Sequence, residues 1–230
     1  KALVFGDIAP TGRFVEPFGD LFFDEAVAVY REQAAALLEG GVDGFVIETM
    51  MDIQEARAAL IAVRELCGLP VMVSMTYEAD GRTLNGTDPV SALVTLQSLG
   101  ADAVGCNCST GPADMLKVIK EMRKYARVPL LAKPNAGMPK LVNGVTLFDM
   151  GHDEFASYVE EFISAGTGLF GGCCGTTPEH IASAALKAKS GKTFLSPAEP
   201  LSVLSSARKR GLTGRDRPLV IIGDRLNPTG

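Results

Sequence analysis

The chain has 230 residues, 47% apolar and 21% charged, with a formal net charge of −5. That length and apolar content suffice for one large folded domain and exclude disorder as its general state, and no apolar run approaches the ~18–20 residues of a membrane-spanning helix. The negative balance offers nucleic acid no basic face. Five cysteines, two of them adjacent, do not make a secreted disulfide scaffold; they point to a reducing compartment, the cytoplasm, and to metal binding or catalysis as the uses of sulfur.

The chain opens on an apolar, strand-like run, Lys1-Ala2-Leu3-Val4-Phe5, without an initiator Met or a signal-peptide pattern, and is expected to begin inside a longer polypeptide. Short β-rich runs at 3–5, 44–47, 71–76, 103–105, 128–132 and 168–170 read as strands, and longer segments of helical period separate them. In the segment 24–39, Val27, Tyr30, Ala34, Leu37 and Leu38 fall on one face, as an amphipathic helix requires. Asp88, Gly111 and Thr177 each precede a proline that suits a first helical turn. Gly40-Gly41 and Gly100 supply helix stops.

Strand followed by helix, six times over, predicts a parallel sheet with right-handed crossovers. The choice lies between an open doubly wound sheet and a closed barrel, and the barrel is favoured: an α/β fold of the (β/α)8 type of which about six units are present. The barrel is expected over residues 1–190. Residues 191–218, with several prolines and serines and the cluster Arg208, Lys209, Arg210, Arg215 and Arg217, read as a solvated interdomain linker. Leu219-Val220-Ile221-Ile222 starts a new strand, so 219–230 reads as the beginning of a second domain.

In such a fold the reactive groups stand just beyond the C-terminal ends of the strands. Three positions there carry chemistry: Glu48, Cys106-Asn107-Cys108, and Gly171-Gly172-Cys173-Cys174-Gly175. Cys108, Cys173 and Cys174 open onto one face and can converge on a tetrahedral zinc with its fourth position open, as catalytic zinc sites have. Two adjacent ligands require a sharp turn, which the flanking glycines permit. Against this stands the fact that free cysteines often serve as small apolar core residues. Cys67 reads as core, and Cys106 as an ambiguous fourth sulfur. Neither His152 nor His180 stands at a strand end, so a histidine-based site is not expected. A redox dithiol lacks the C-x-x-C spacing. Gly166-Thr167-Gly168-Leu169-Phe170-Gly171 satisfies G-x-G-x-x-G, but it contains a strand where a dinucleotide site needs the motif to follow one.

Gly105-Cys106-Asn107-Cys108 with Gly111-Pro112, Lys133-Pro134-Asn135-Ala136-Gly137-Met138-Pro139, and Gly171-Gly172-Cys173-Cys174-Gly175-Thr176-Thr177-Pro178 together resemble the homocysteine S-methyltransferase barrel, over residues 3–189. Residues 223–230 are similar to the opening strand and loop of the pterin-binding folate domain that follows this barrel in the cobalamin-dependent members. The resemblance implies a zinc-dependent transfer of a methyl group to the sulfur of L-homocysteine, giving methionine. Methylcobalamin, carried by another module, is the implied immediate donor and methyltetrahydrofolate the ultimate one. Cys108, Cys173 and Cys174 are then the zinc ligands and the catalytic centre. Asn135 lies close to the metal and supplies an oxygen to it before substrate arrives. Glu48 receives the substrate ammonium group, the loop 7–12 contributes to the same face, and Asn227 contacts the folate. The implied partners are the cobalamin-binding and folate-binding modules of the same polypeptide or complex, with no nucleic acid and no membrane. Lys133 stands where a tyrosine is expected in many relatives, and the family's first two βα units are absent from the chain. The alternatives are a cobalamin-independent methyltransferase using betaine or S-methylmethionine, and a non-catalytic zinc-stabilised scaffold closed by Cys106 or Asn135.

Overall fold

In the computed structural model, residues 2–188 and 202–213 are described. Six parallel strands form one sheet in the order β1 (Phe5–Ile8), β2 (Gly44–Met50), β3 (Val71–Met75), β4 (Ala103–Asn107), β5 (Leu130–Lys133) and β8 (Thr167–Phe170), each neighbouring the next. The helices α1 (Phe23–Glu39), α2 (Ile53–Leu66), α3 (Pro89–Ser98) and α4 (Pro112–Arg123) follow the first four of these strands. The short helices α5 (His152–Ser157) and α6 (Val159–Ser164) precede β8, and α7 (Pro178–Ala188) follows it. Sequential parallel neighbours, each joined through a helix, make a partial (β/α)8 barrel and not a doubly wound sheet, whose strand order would reverse.

The core lies between sheet and helices. Residues of alternate strand positions, Phe45 and Ile47 in β2 and Val71, Val73 and Met75 in β3, are sealed against the buried faces of the helices. Helix α1 buries Ala26, Val27, Tyr30 and Ala34, with Leu37 and Leu38 packed partly against the same core, as the helical period predicts. Asp88 caps α3 by accepting the Val90 and Ser91 amides, and Gly100 ends it in the left-handed region at φ 95°. Gly111 caps α4 without a side-chain bond.

Three departures from the sequence reading have local causes. The first strand is Phe5–Ile8, not 3–5, because pairing with β2 begins at Phe5↔Gly44 and leaves Leu3 and Val4 outside the sheet and exposed. A hairpin, β6 (Lys140–Val142) and β7 (Val145–Leu147), follows the Pro-Asn-Ala-Gly segment, turned by Asn143 and Gly144 at φ 50° and 79°. That is the dipeptide a two-residue hairpin turn favours. Within the stretch read as a solvated linker, β9 (Ser202–Ser205) and β10 (Arg210–Thr213) form an antiparallel hairpin held against α3. Arg210 pairs with Asp88 at 2.8 Å, Arg208 lies over the Phe18 ring, and Ala207 O accepts from Thr87 Oγ1 at 2.6 Å. Two members of the basic cluster are therefore docking groups, for residues distant in sequence. The remaining parts of the expected linker, and the second-domain segment with Asn227, lie outside the described residues. No helix among the described residues is long and apolar enough to cross a membrane.

Candidate active site

The C-terminal ends of β2, β4, β5 and β8 bring the sequence-predicted groups to one face. β2 does not stop at Ile47: Ile47 pairs with Val73 and Met50 with Met75, so Glu48 and Thr49 form a bulge. A bulge re-aims its side chains, and Thr49, at φ 61°, adopts a conformation costly for a β-branched residue. Cys108 (φ 62°) and Ser109 (φ 56°) make a comparable turn after β4. Strand alternation is thereby broken after Asn107. Cys106 enters the helix-side core at 2% exposure, and Cys108 reaches the open face. Burial pushes the Cys106 thiol well up, and this sulfur is not part of the thiol cluster. Cys67 packs partly against the core as expected.

The turn after β8 is stitched to the segment after β5. Gly171 N donates to Ala132 O at 3.0 Å, Cys173 N to Pro134 O at 3.0 Å, and Ala136 N to Cys174 O at 3.0 Å. Gly175 is left-handed at φ 78°, and a Cβ there would stand 2.4 Å from Phe148, so no other residue fits that corner. The Sγ atoms of Cys108, Cys173 and Cys174 consequently lie within 4.8 Å of one another, with Cys108 and Cys174 at 3.7 Å. Zinc–sulfur bonds of about 2.3 Å at tetrahedral angles hold sulfurs roughly 3.8 Å apart, so the donor set fits such an ion. Cys174 is exposed and the other two are half-buried, which leaves the open side of the cluster facing solvent. The hydrogen bond from Cys173 brings the Cys108 thiol down to about 7 and pushes Cys173 well up.

Asn107, fully buried, organises this end of the barrel. Its Oδ1 accepts from Thr49 N at 2.8 Å and Ser74 Oγ at 2.7 Å. Its Nδ2 donates to Thr49 Oγ1 at 2.8 Å and toward Cys173 Sγ at 3.7 Å. Asn135, expected near the metal, lies beside the cluster with its Oδ1 accepting the Cys174 amide at 3.1 Å. Glu48 pairs with the Lys133 ammonium group. In the loop 7–12, Thr11 donates through both its amide and its hydroxyl to Glu55 Oε1, each at 2.7 Å, and Tyr30 donates to the same oxygen at 2.7 Å. Glu55 and the roles of Asn107 and Thr49 were not legible in the sequence. Asn107 was visible between two cysteines, but its partners lie 33 to 66 residues away. His180 is engaged by Thr177 Oγ1 and by Met150 O.

A partial parallel barrel carries, at its strand C-termini, three convergent thiols whose donor atoms could hold a metal ion, in a (β/α)8-type protein. Residues 1–188 match the homocysteine S-methyltransferase family, and the chain belongs to that family. It is 36% identical to the methionine synthase of Mycobacterium leprae across 79% of this chain and 15% of that protein. Identity to the methionine synthase of Mycobacterium tuberculosis is 33%, across 100% of this chain and 20% of that protein. The chain thus spans a fifth or less of the length of these relatives. Among solved structures, the homocysteine methyltransferase MmuM from Escherichia coli superposes in its apo form with a TM-score of 0.66 at 24% identity, covering 80% of this chain and 62% of that one. Its metallated form gives 0.65 at 23% identity, covering 81% and 61%. These structures share the fold.

Proposed function

We propose that this chain is the homocysteine-binding part of a zinc-dependent methyltransferase that forms methionine, with methylcobalamin as immediate donor and methyltetrahydrofolate as ultimate donor. The observation that carries the reading is the convergence of Cys108, Cys173 and Cys174 beside Glu48 at the strand C-termini of a chain of this family. The three cysteines would hold the ion. When bound, zinc supplies deprotonation of a thiol at neutral pH, so that substrate sulfur is kept as the nucleophilic thiolate. The chain's own groups do the rest. Asn107 orients Cys173 from behind, Asn135 fixes the Cys174 backbone, and Glu48 receives the substrate ammonium group, which sets the direction of the sulfur chain. Correct placement of this kind can contribute several kcal/mol to lowering the barrier.

Two further considerations support the donor assignment: both relatives above carry the name methionine synthase, and residues 219–230 read as the opening of a folate-binding domain, with Asn227 toward the folate. The arrangement of parts is then the barrel at 1–190, a connecting segment at 191–218, and that second domain, in a cytoplasmic polypeptide.

The zinc-loaded chain, supplied with L-homocysteine and free methylcobalamin, is expected to form methionine with matching loss of the methyl–cobalt absorbance, and Cys108→Ala is expected to abolish both. Methionine formed from betaine or S-methylmethionine but not from methylcobalamin would replace the donor. Methionine formed equally well by the Cys108→Ala variant would overturn the site assignment.

A further inference from the structure

We infer that His180 is a positioning residue of the Cys173–Cys174 corner: it closes a ring of hydrogen bonds that holds Cys174 in place, an assignment that rests on the zinc site proposed above. Cys174 O accepts the Ala136 amide at 3.0 Å, and Ala136 O accepts the Met150 amide at 3.2 Å. Met150 O in turn accepts from His180 Nε2 at 2.9 Å, and His180 Nδ1 accepts the Thr177 amide at 3.2 Å. The backbone from Thr177 back to Cys174 completes the circuit. His180 is the side chain in this ring; its other links are main chain.

A carbonyl on one side and an amide on the other demand a group that donates at one atom and accepts at another. Neutral imidazole with its proton on Nε2 does so across a rigid ring. That ring is itself fixed: His180 is 8% exposed and stands edge-on to Phe155 at 5.6 Å, which leans on Phe170 at 5.6 Å. Phe170 is the last residue of β8, directly before the turn that carries the thiols. The brace matters because the turn has glycine at 171, 172 and 175 and is not stiff by itself. Cys173 is steadied at its sulfur by Asn107. Cys174, the exposed thiol, is held through its backbone, its amide by Asn135 and its carbonyl by Ala136. Opening the ring at His180 frees Thr177 and the Met150 end of the segment after β5 to move apart, and the Cys174 sulfur loses its fixed place relative to Cys108 and Cys173.

The test uses the full chain with His180→Phe, which keeps an aromatic ring against Phe155 and removes both hydrogen bonds. Zinc affinity, read by competition with a chromophoric chelator, is expected to fall about tenfold, the effect of losing a partner that orients a ligand. In the cobalt(II)-saturated protein the thiolate-to-cobalt charge-transfer absorbance is expected to fall by up to about a third, one thiolate of the three. His180→Asn, which keeps an acceptor for Thr177 but no donor for Met150 O, supplies the same comparison should the phenylalanine variant not fold. A saturated cobalt spectrum equal to that of the wild type overturns the assignment, whatever happens to the melting temperature or the affinity, because a packing role alone leaves all three thiolates of the folded molecules on the metal. A wild-type chain that takes up neither zinc nor cobalt overturns the parent reading instead, and this inference with it.

Discussion

Asn107 uses all four hydrogen-bonding positions of its amide: two acceptor bonds from Thr49 and Ser74, and two donor contacts to Thr49 and Cys173. It thereby holds Thr49 in a conformation that residue would not adopt alone. Asn107→Ala strands the Thr49 amide and the Ser74 hydroxyl, and is expected to cost about 2–3 kcal/mol of stability in denaturant melts. By freeing Cys173 it should also lower zinc affinity about 10–100-fold, measured by competition with a chromophoric chelator; an unchanged affinity would contradict the positioning role. The cysteines themselves were legible because two rare local patterns carry them. What separates Cys106 from Cys108 was not, since two-residue alternation puts both on one side. Only the left-handed turn at Cys108 sends the second sulfur to the open face and leaves the first in the core.

Elements with a regular period were legible, and elements made by distant partners were not. Helix α1 runs almost where its apolar stripe predicts, and α3 starts where Asp88 and Pro89 say. The hairpin β6–β7 had a readable signal in Asn143-Gly144. The hairpin β9–β10 had none, because Arg208 and Arg210 look like solvated charges until Phe18 and Asp88 meet them. The loop 7–12 was seen, but its latch was not: a glutamate within an amphipathic helix reads as surface, whereas Glu55 is 2% exposed. Thr11 and Tyr30 supply its three donors, joining the β1–α1 loop, α1 and α2 through one oxygen. Glu55→Ala leaves those donors without an acceptor and is expected to cost about 3 kcal/mol or more in thermal or denaturant unfolding. Glu55→Gln, which keeps an acceptor oxygen, should recover part of the loss. Wild-type stability in the alanine variant would show that water satisfies the latch equally well.

At the scale of the molecule, six parallel strands in sequential order place Glu48, the three thiols and Asn135 at one end of the sheet. At the opposite end, Phe5, Pro70, Met72, Asp102, Ala103, Pro129, Gly168 and Leu169 line a largely apolar cavity of about 370 Å³, which carries none of those groups. This division, chemistry beyond the strand C-termini and packing at the other end, is the one parallel barrels share. It explains why reading only the residues after each strand was enough to find the thiols. On the proposed function, the thiols of Cys108, Cys173 and Cys174 form an open three-sulfur site for a substrate sulfur. Zinc-edge X-ray absorption on the metal-loaded chain, with and without L-homocysteine, tests it most directly. Three sulfurs and one lighter atom are expected without substrate and four sulfurs with it; a shell that does not change when L-homocysteine is added would rule out a substrate sulfur on the metal.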